Sequence, residues 1–69
     1  MIRVIWSRPG NPGNSVAAAL GVSRSQLRNA LHSVKRQAGL GFSDHVTLWD
    51  DGTVTDAGDE WIGNIYDEI

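Results

Sequence analysis

The stretch SRSQLRNALHSVKRQAGL, residues 23–40, predicts one helix with defined ends and an apolar stripe. Ser23 and Gln26 have the S-x-x-Q spacing of a capping box, in which each side chain accepts a hydrogen bond from the backbone amide of the other residue. Gly39 suits the left-handed residue that follows a helix. Apolar side chains recur at helical spacing at four positions: Leu27, Leu31, Val34 and Ala38. We therefore expect a helix that Ser23 begins and Gly39 ends, with this stripe buried.

Another side of the same helix is cationic. Four side chains fall within an arc of about 80° when each residue advances by about 100°: Arg24, Arg28, His32 and Lys35. Three more side chains border this arc: Ser25, Asn29 and Arg36. We call these seven residues the basic face. Arginine and lysine at this spacing offer several donors to phosphate oxygens, and the alternative is an ordinary solvated helix surface.

The charges of the chain are segregated along the sequence. All six lysines and arginines lie within residues 1–43, and all eight acidic residues lie within residues 44–69, so charges of +6 and −8 give the net charge of −2. Such asymmetry indicates a local surface for a polyanion rather than a wholly basic protein. The alternative is that the two halves neutralise each other in the fold.

Length and composition allow one small domain, residues 1–69. The absence of cysteine excludes disulfides and thiolate metal sites. The longest apolar run, residues 16–20, is far shorter than the roughly 20 residues of a membrane span. The N-terminus lacks the pattern of a secretory signal. We expect no membrane association and no cofactor, with the cytoplasm as the site of action.

The N-terminal third predicts a strand, a loop and a short helix. Residues 2–6 alternate apolar and polar side chains, which is typical of a strand. Residues 7–14 contain both prolines and predict a loop that could close over the basic face. Residues 16–20 predict a short helix, which Asn14 or Ser15 would cap.

The C-terminal half predicts a hairpin. Residues 46–49 and 53–55 alternate in the manner of strands. A three-residue turn at residues 50–52 would place Leu48 opposite Val54 and keep the apolar side chains on one face.

The chain ends in a predicted strand. Residues 61–66 are apolar and β-branched or aromatic at most positions, and Gly63 with Asn64 argues against a smooth helix. The element order is then β-α-α-β-β-β. We expect an α+β fold in which two short N-terminal helices pack on a small antiparallel sheet.

His32 is the candidate acid–base group because histidine titrates near neutral pH. Cleavage of RNA requires a base for the 2′-hydroxyl, an acid for the leaving oxygen and cations for the charge on phosphorus. His32, Lys35 and Arg28 would supply these without a metal ion, and the neighbouring cations would lower the pKa of His32. A solvated histidine with no catalytic role is the alternative.

Other residues carry weaker signals. Nothing in the spacing of His32, Asp44, His45 and Asp50 requires a metal site, and residues 50–52 form a turn pattern rather than a calcium loop. The three tryptophans are typical core residues, and Trp49 is the one for which strand alternation predicts the greatest exposure.

The segment VAAALGVSRSQLRNAL, residues 16–31, resembles the helix-turn-helix signature of bacterial repressors. Ala17, Gly21 and Leu27 occupy its small, glycine and apolar positions. The resemblance implies that the second helix enters the major groove of DNA, with the 50–52 turn as a wing. Five side chains would then face the DNA: Arg24, Ser25, Arg28, Asn29 and His32. A protein of this class would commonly act as a homodimer.

A second resemblance covers about the last 50 residues. The stretches LGVS (20–23), ALHSVKRQAGLG (30–41), GTVTD (52–56) and IGNI (62–65) resemble the C-terminal toxin modules of bacterial polymorphic toxins of the Rhs and contact-dependent types. This resemblance implies action on nucleic acid, often as a ribonuclease, and an acidic immunity protein as partner. His32 and Lys35 lie in the matching A-(I/L)-H-x-(I/V)-K stretch, whereas residues 42–45 depart from the family's turn.

The acidic C-terminal half and the lack of a predicted third helix favour the toxin-like interpretation. We therefore predict a metal-independent ribonuclease module, with a helix-turn-helix DNA-binding regulator as the alternative. His32, Lys35 and Arg28 are the predicted catalytic residues. The predicted nucleic-acid-binding residues are Arg8, Arg24, Ser25, Asn29 and Arg36.

Overall fold

The computed structural model describes residues 1–69 as two helices and one four-stranded sheet. The elements in chain order are β1 (Val4–Arg8), α1 (Asn14–Leu20), α2 (Arg24–Gln37), β2 (Val46–Trp49), β3 (Thr53–Asp56), β4 (Trp61–Asn64) and a short 3-10 helix (Ile65–Asp67). The sheet order is β1-β2-β3-β4, and each strand is antiparallel to the next. The predicted α+β class is confirmed. Neither helix has the length and apolar character needed to cross a membrane.

Both predicted ends of α2 are confirmed. At the start, the Gln26 amide donates to Ser23 Oγ (3.0 Å) and the Ser23 amide donates to Gln26 Oε1 (2.9 Å), which completes the capping box. At the end, Gly39 has a φ of 76°. Its amide donates to the Arg36 carbonyl, and the Leu40 amide donates to the Lys35 carbonyl. These two bonds form a Schellman motif, which satisfies carbonyl groups that a helix end leaves without partners.

The core lies between α2 and the inner face of the sheet. From α2, four buried side chains contribute: Leu27, Ala30, Leu31 and Val34. From the sheet and the C-terminal turn, five more contribute: Trp6, Val46, Leu48, Val54 and Ile65. Ala38 was predicted to extend the apolar stripe, and that prediction is wrong. Ala38 is exposed because α2 ends at Gln37 and Ala38 is already part of the capping turn.

The predicted hairpin register is confirmed. Leu48 pairs with Val54, and the turn at residues 50–52 contains Gly52 with a φ of 88°. The Gly52 amide donates to the Trp49 carbonyl at 2.9 Å and closes the turn. Glycine is required here because left-handed φ values are unfavourable for residues with a Cβ atom.

Several local boundaries differ from the predictions. β1 runs from Val4 to Arg8 rather than from Ile2 to Trp6, and its last residues still pair with β2. α1 has Gly13 as its N-cap, with no side-chain hydrogen bond, rather than Asn14 or Ser15. β4 ends at Asn64 rather than continuing to residue 66.

Asn64 is the reason that β4 ends. Its Oδ1 accepts from the Tyr66 amide at 2.9 Å and begins the 3-10 helix. The turn places Ile65 in the core and directs the Tyr66 hydroxyl to the carbonyl of Leu20, to which it donates at 2.6 Å. The C-terminal turn thereby connects the sheet to the end of α1.

Gly63 permits the close approach of β4 to α2. A Cβ atom at this position would lie 2.9 Å from Val34 Cγ1. We expect Gly63→Ala to lower the free energy of unfolding by about 1–3 kcal/mol, because the added methyl group overpacks the core. Urea denaturation measures this change.

Gly58→Ala is the matched control. A Cβ atom at Gly58 would meet only Asp56 Oδ1, at 3.5 Å, which is an ordinary contact. Equal losses in the two variants would contradict the proposed contact between β4 and α2.

Candidate nucleic-acid interface

Most of the basic face of α2 is open to solvent. Its exposed members are Arg24, Ser25, Arg28, Asn29 and Arg36. Arginine side chains on one exposed helix surface are well placed to donate to phosphate oxygens from several positions at once. Five of the seven residues assigned to this face from the sequence are therefore accessible to a ligand.

The acidic half of the chain forms no hydrogen bond with the arginines of this surface. Glu68 is the carboxylate bound to α2, where its Oε1 accepts from Ser33 Oγ (2.6 Å) and Gln37 Nε2 (2.7 Å). Ser33 and Gln37 lie about 60° or more beyond the nearest basic residue around the helix axis. The other hydrogen-bonded carboxylates accept from backbone amides. The acidic side chains therefore do not neutralise the arginines of α2 through hydrogen bonds.

Lys35 is buried, contrary to its predicted place on the open basic face. The side chain is 2% exposed, and Nζ donates to the Phe42 carbonyl oxygen at 2.9 Å. Burial lowers the pKa of Lys35, and the carboxylate of Asp44 acts in the opposite direction. The physical reason is the loop after α2, which folds back over this part of the helix. Lys35 is thus accessible to a ligand only where it lines a cleft.

His32 lies half-buried between two groups from outside α2. Nε2 is 3.1 Å from Asn11 Oδ1, and the Phe42 ring packs perpendicular to the imidazole with centroids 5.3 Å apart. With Asn11 Oδ1 as acceptor, Nε2 carries the proton and Nδ1 of the neutral ring is the free acceptor. The contact with Asn11 also confirms that the loop at residues 7–14 reaches the basic face.

The pKa of His32 lies below its ordinary value of 6.5. Burial is the largest cause, followed by the positive charges of Lys35, Arg28 and Arg36. Both effects disfavour the imidazolium form. The neutral ring therefore predominates at neutral pH, which is the form that a general base requires.

A cleft opens beside His32. Its volume is about 160 Å³, and both polar and apolar side chains line it. The lining residues are His32, Lys35, Arg36, Leu40, Gly41 and Phe42. The cleft therefore combines an acid–base group, two cations and an aromatic ring within one small volume.

The remaining predicted residues lie elsewhere. Arg8 is exposed at the end of β1, opposite Val46, and it is Asn11 rather than Arg8 that contacts His32. His45 Nε2 is 3.1 Å from Ser7 Oγ, and Asp44 Oδ2 accepts from the Gly41 amide at 2.6 Å. No three histidine or acidic side chains cluster in a way that would hold a metal ion.

The exposure predicted for the tryptophans is partly wrong. Trp6 is buried as expected, but Trp61 is 65% exposed, whereas Trp49 is half-buried and donates from Nε1 to Thr55 Oγ1 at 3.0 Å. Trp49 lies on a central strand where neighbours cover it, and Trp61 lies on the edge strand β4.

Two site residues were not identified from the sequence. The sequence predicted that the loop containing Asn11 could close over the basic face, but it did not indicate which residue of the loop would contact His32. Phe42 had no signal, because its ring belongs to no periodic pattern and only the fold places it against His32.

Comparison with protein-family models, with curated proteins and with solved structures gives no match for this chain. The resemblances to toxin modules and to helix-turn-helix repressors therefore stay predictions.

The electrostatic environment of His32 is testable by NMR titration. We expect a pKa below 6.5 for His32, and a rise in that pKa in Arg28→Gln, because this variant removes one of the positive charges that depress it. Arg24→Gln is the matched control, since Arg24 is not among the causes of the shift. An unchanged His32 pKa in Arg28→Gln would contradict this account.

The same shift links stability to pH. His32 has a lower pKa in the folded chain than in the unfolded chain. Between these two pKa values, the unfolded chain therefore binds more protons than the folded chain. This contribution to the free energy of unfolding is complete above pH 6.5 and falls as the pH drops from 6.5 through the lowered pKa. Denaturation curves of the native chain and of His32→Asn over this range measure the difference.

Proposed function

We propose that this chain is a nucleic-acid-acting module of the toxin type and that it cleaves RNA without a metal ion. The observation that carries the proposal is the position of His32. Its pKa is lowered, its ring is oriented by Asn11, and it lies between an open row of arginines and a cleft. Perturbed titratable groups beside a cleft are typical of functional sites.

In the proposed reaction, neutral His32 accepts the proton of a ribose 2′-hydroxyl. The 2′-oxygen attacks phosphorus, the bond to the 5′-oxygen breaks, and a 2′,3′-cyclic phosphate forms. Lys35, whose ammonium is made more acidic by burial, supplies the proton that the departing 5′-oxygen takes up. Arg28 stabilises the negative charge that develops on the phosphate oxygens.

The exposed residues of the basic face position the backbone of the RNA. Arg24 and Arg36 extend the row of cations along α2, Ser25 and Asn29 add neutral donors beside it, and Arg8 contacts a more distant phosphate. A protein inhibitor of such a module would be acidic and would cover the same surface. The site of action in this proposal is the cytoplasm.

A helix-turn-helix DNA-binding regulator is the second candidate, and one feature of the fold favours it. α1 and α2 are joined by three residues, with Gly21 in the left-handed conformation at a φ of 73°. The polar side chains in the first turns of α2 are exposed, as a recognition helix requires. In this function the chain acts as a homodimer on duplex DNA.

Cleavage of RNA in the presence of EDTA tests the first proposal. We expect the purified protein to degrade total RNA, and His32→Ala to lower the rate by about 10²- to 10⁴-fold, the usual contribution of a positioned acid–base group. Gel electrophoresis of the products and detection of cyclic phosphate ends measure the reaction.

His45→Ala is the matched control, since His45 contacts Ser7 on the sheet rather than the cleft. Intact RNA after long incubation at high protein concentration would rule out the ribonuclease. Equal losses in the two histidine variants would refute the catalytic role of His32.

Duplex binding tests the second candidate. A DNA-binding regulator would shift duplex DNA with a strong dependence on salt, and Arg28→Ala would weaken this binding. The ribonuclease proposal expects no stable shift of duplex at physiological salt. A shift that is specific for one duplex sequence, without cleavage of RNA, would favour the regulator.

A further inference from the structure

Phe42 presents a large apolar ring to solvent beside the candidate acid–base group. The side chain is 55% exposed, although it packs edge to face against His32. The exposed part of the ring is thus available to a ligand that already touches His32.

The backbone that carries this ring is fixed by three hydrogen bonds. The buried Lys35 ammonium donates to the Phe42 carbonyl and lies 5.8 Å from the centre of its ring. The Gly41 amide donates to Asp44 Oδ2, and the Asp44 amide donates to the Gly41 carbonyl, so the turn at residues 41–44 is closed. A ring held in place in this way binds a ligand without losing much conformational entropy.

The residues that line the cleft match the two parts of a nucleotide. Phe42 and Leu40 offer apolar surface to a base, and Arg36 and Lys35 offer positive charge to a phosphate beside the neutral His32. Aromatic rings beside cations are the common surface for single-stranded nucleic acid, because bases stack on the ring while phosphates contact the charges. A base inside a duplex has neighbours on both faces and is therefore not free to stack on a protein side chain.

Trp61 shows that the exposure of an aromatic ring does not by itself identify a surface for base stacking. This side chain is more exposed than Phe42, at 65%, but it follows Asp59 and Glu60 in the sequence and lines no cleft with cations. Phosphates would be repelled there. Because cations lie beside Phe42 and carboxylates beside Trp61, Phe42 is the better surface for stacking a base.

We infer that the cleft takes one nucleotide of a single-stranded segment, with its base stacked on Phe42 and its phosphate against Arg36 and His32. This inference rests on the proposed function and names its substrate class as single-stranded RNA. Phe42 then acts as a specificity-determining residue, which selects unpaired segments and places a ribose next to His32.

Binding of an oligonucleotide that cannot be cleaved tests the inference separately from catalysis. The probe is a fluorescent 2′-O-methyl RNA octamer, which lacks the nucleophilic hydroxyl, and anisotropy measures its affinity. We expect Phe42→Ala to weaken binding about 5- to 150-fold, the usual loss for one stacked base. Phe42→Tyr should retain the affinity, because it keeps the ring.

Three comparisons complete the experiment. Trp61→Ala should bind as the native chain does. The same octamer in a duplex should bind more weakly and should not respond to Phe42→Ala. A single-stranded DNA octamer distinguishes general stacking, in which DNA and RNA bind alike, from a site that also contacts the ribose.

Equal binding of single strand and duplex, or native affinity in Phe42→Ala, would overturn the inference even if RNA is cleaved. Binding that depends on Phe42 without any cleavage of RNA would support the inference and refute the ribonuclease. Circular dichroism melting curves of each variant exclude loss of the fold as the cause.

Discussion

The apolar stripe of α2 packs against the inner face of the sheet, and this contact fixes the direction in which every other side chain of the helix points. Leu27, Leu31 and Val34 are almost completely buried there. Because successive residues differ by about 100°, rotating the helix by one residue would move Arg28 toward the core. The cost of burying an unpaired guanidinium excludes that arrangement. The orientation of the basic face is therefore a consequence of core packing rather than of any contact made by the arginines.

In the folded chain, the C-terminal segment binds parts of α1 and α2 that lie outside the basic face. Tyr66 bonds the end of α1, and Glu68 binds Ser33 and Gln37 on the side of α2 away from the basic face. The acidic half thus stabilises the fold through neutral donors. No carboxylate is hydrogen-bonded to the arginines of α2, so their positive charge stays exposed at one surface although the net charge of the chain is −2.

Lys35 is buried, and it also lines the cleft. Removing an ammonium group from water is unfavourable unless the group is hydrogen-bonded, and here its donor bond is to a backbone carbonyl. That bond holds Phe42 against His32, while the charge of Lys35 helps to lower the pKa of His32. A single buried cation therefore acts on both the geometry and the protonation of the candidate site.

The sequence by itself determined the fold class, both ends of α2 and the hairpin register at Leu48 and Val54. Capping, glycine turns and strand alternation depend on residues close together in the chain, so their patterns can be recognised without a fold. Only the tertiary structure decided that Lys35 is buried, that Trp61 is more exposed than Trp49, and that the site includes Asn11 and Phe42. Asn11 lies 21 residues before His32, and the turn at residues 41–44 covers Lys35 from beyond the helix end. Helical geometry places a side chain on a face, but burial depends on which distant segment covers that face, and that is settled by the packing of the whole chain.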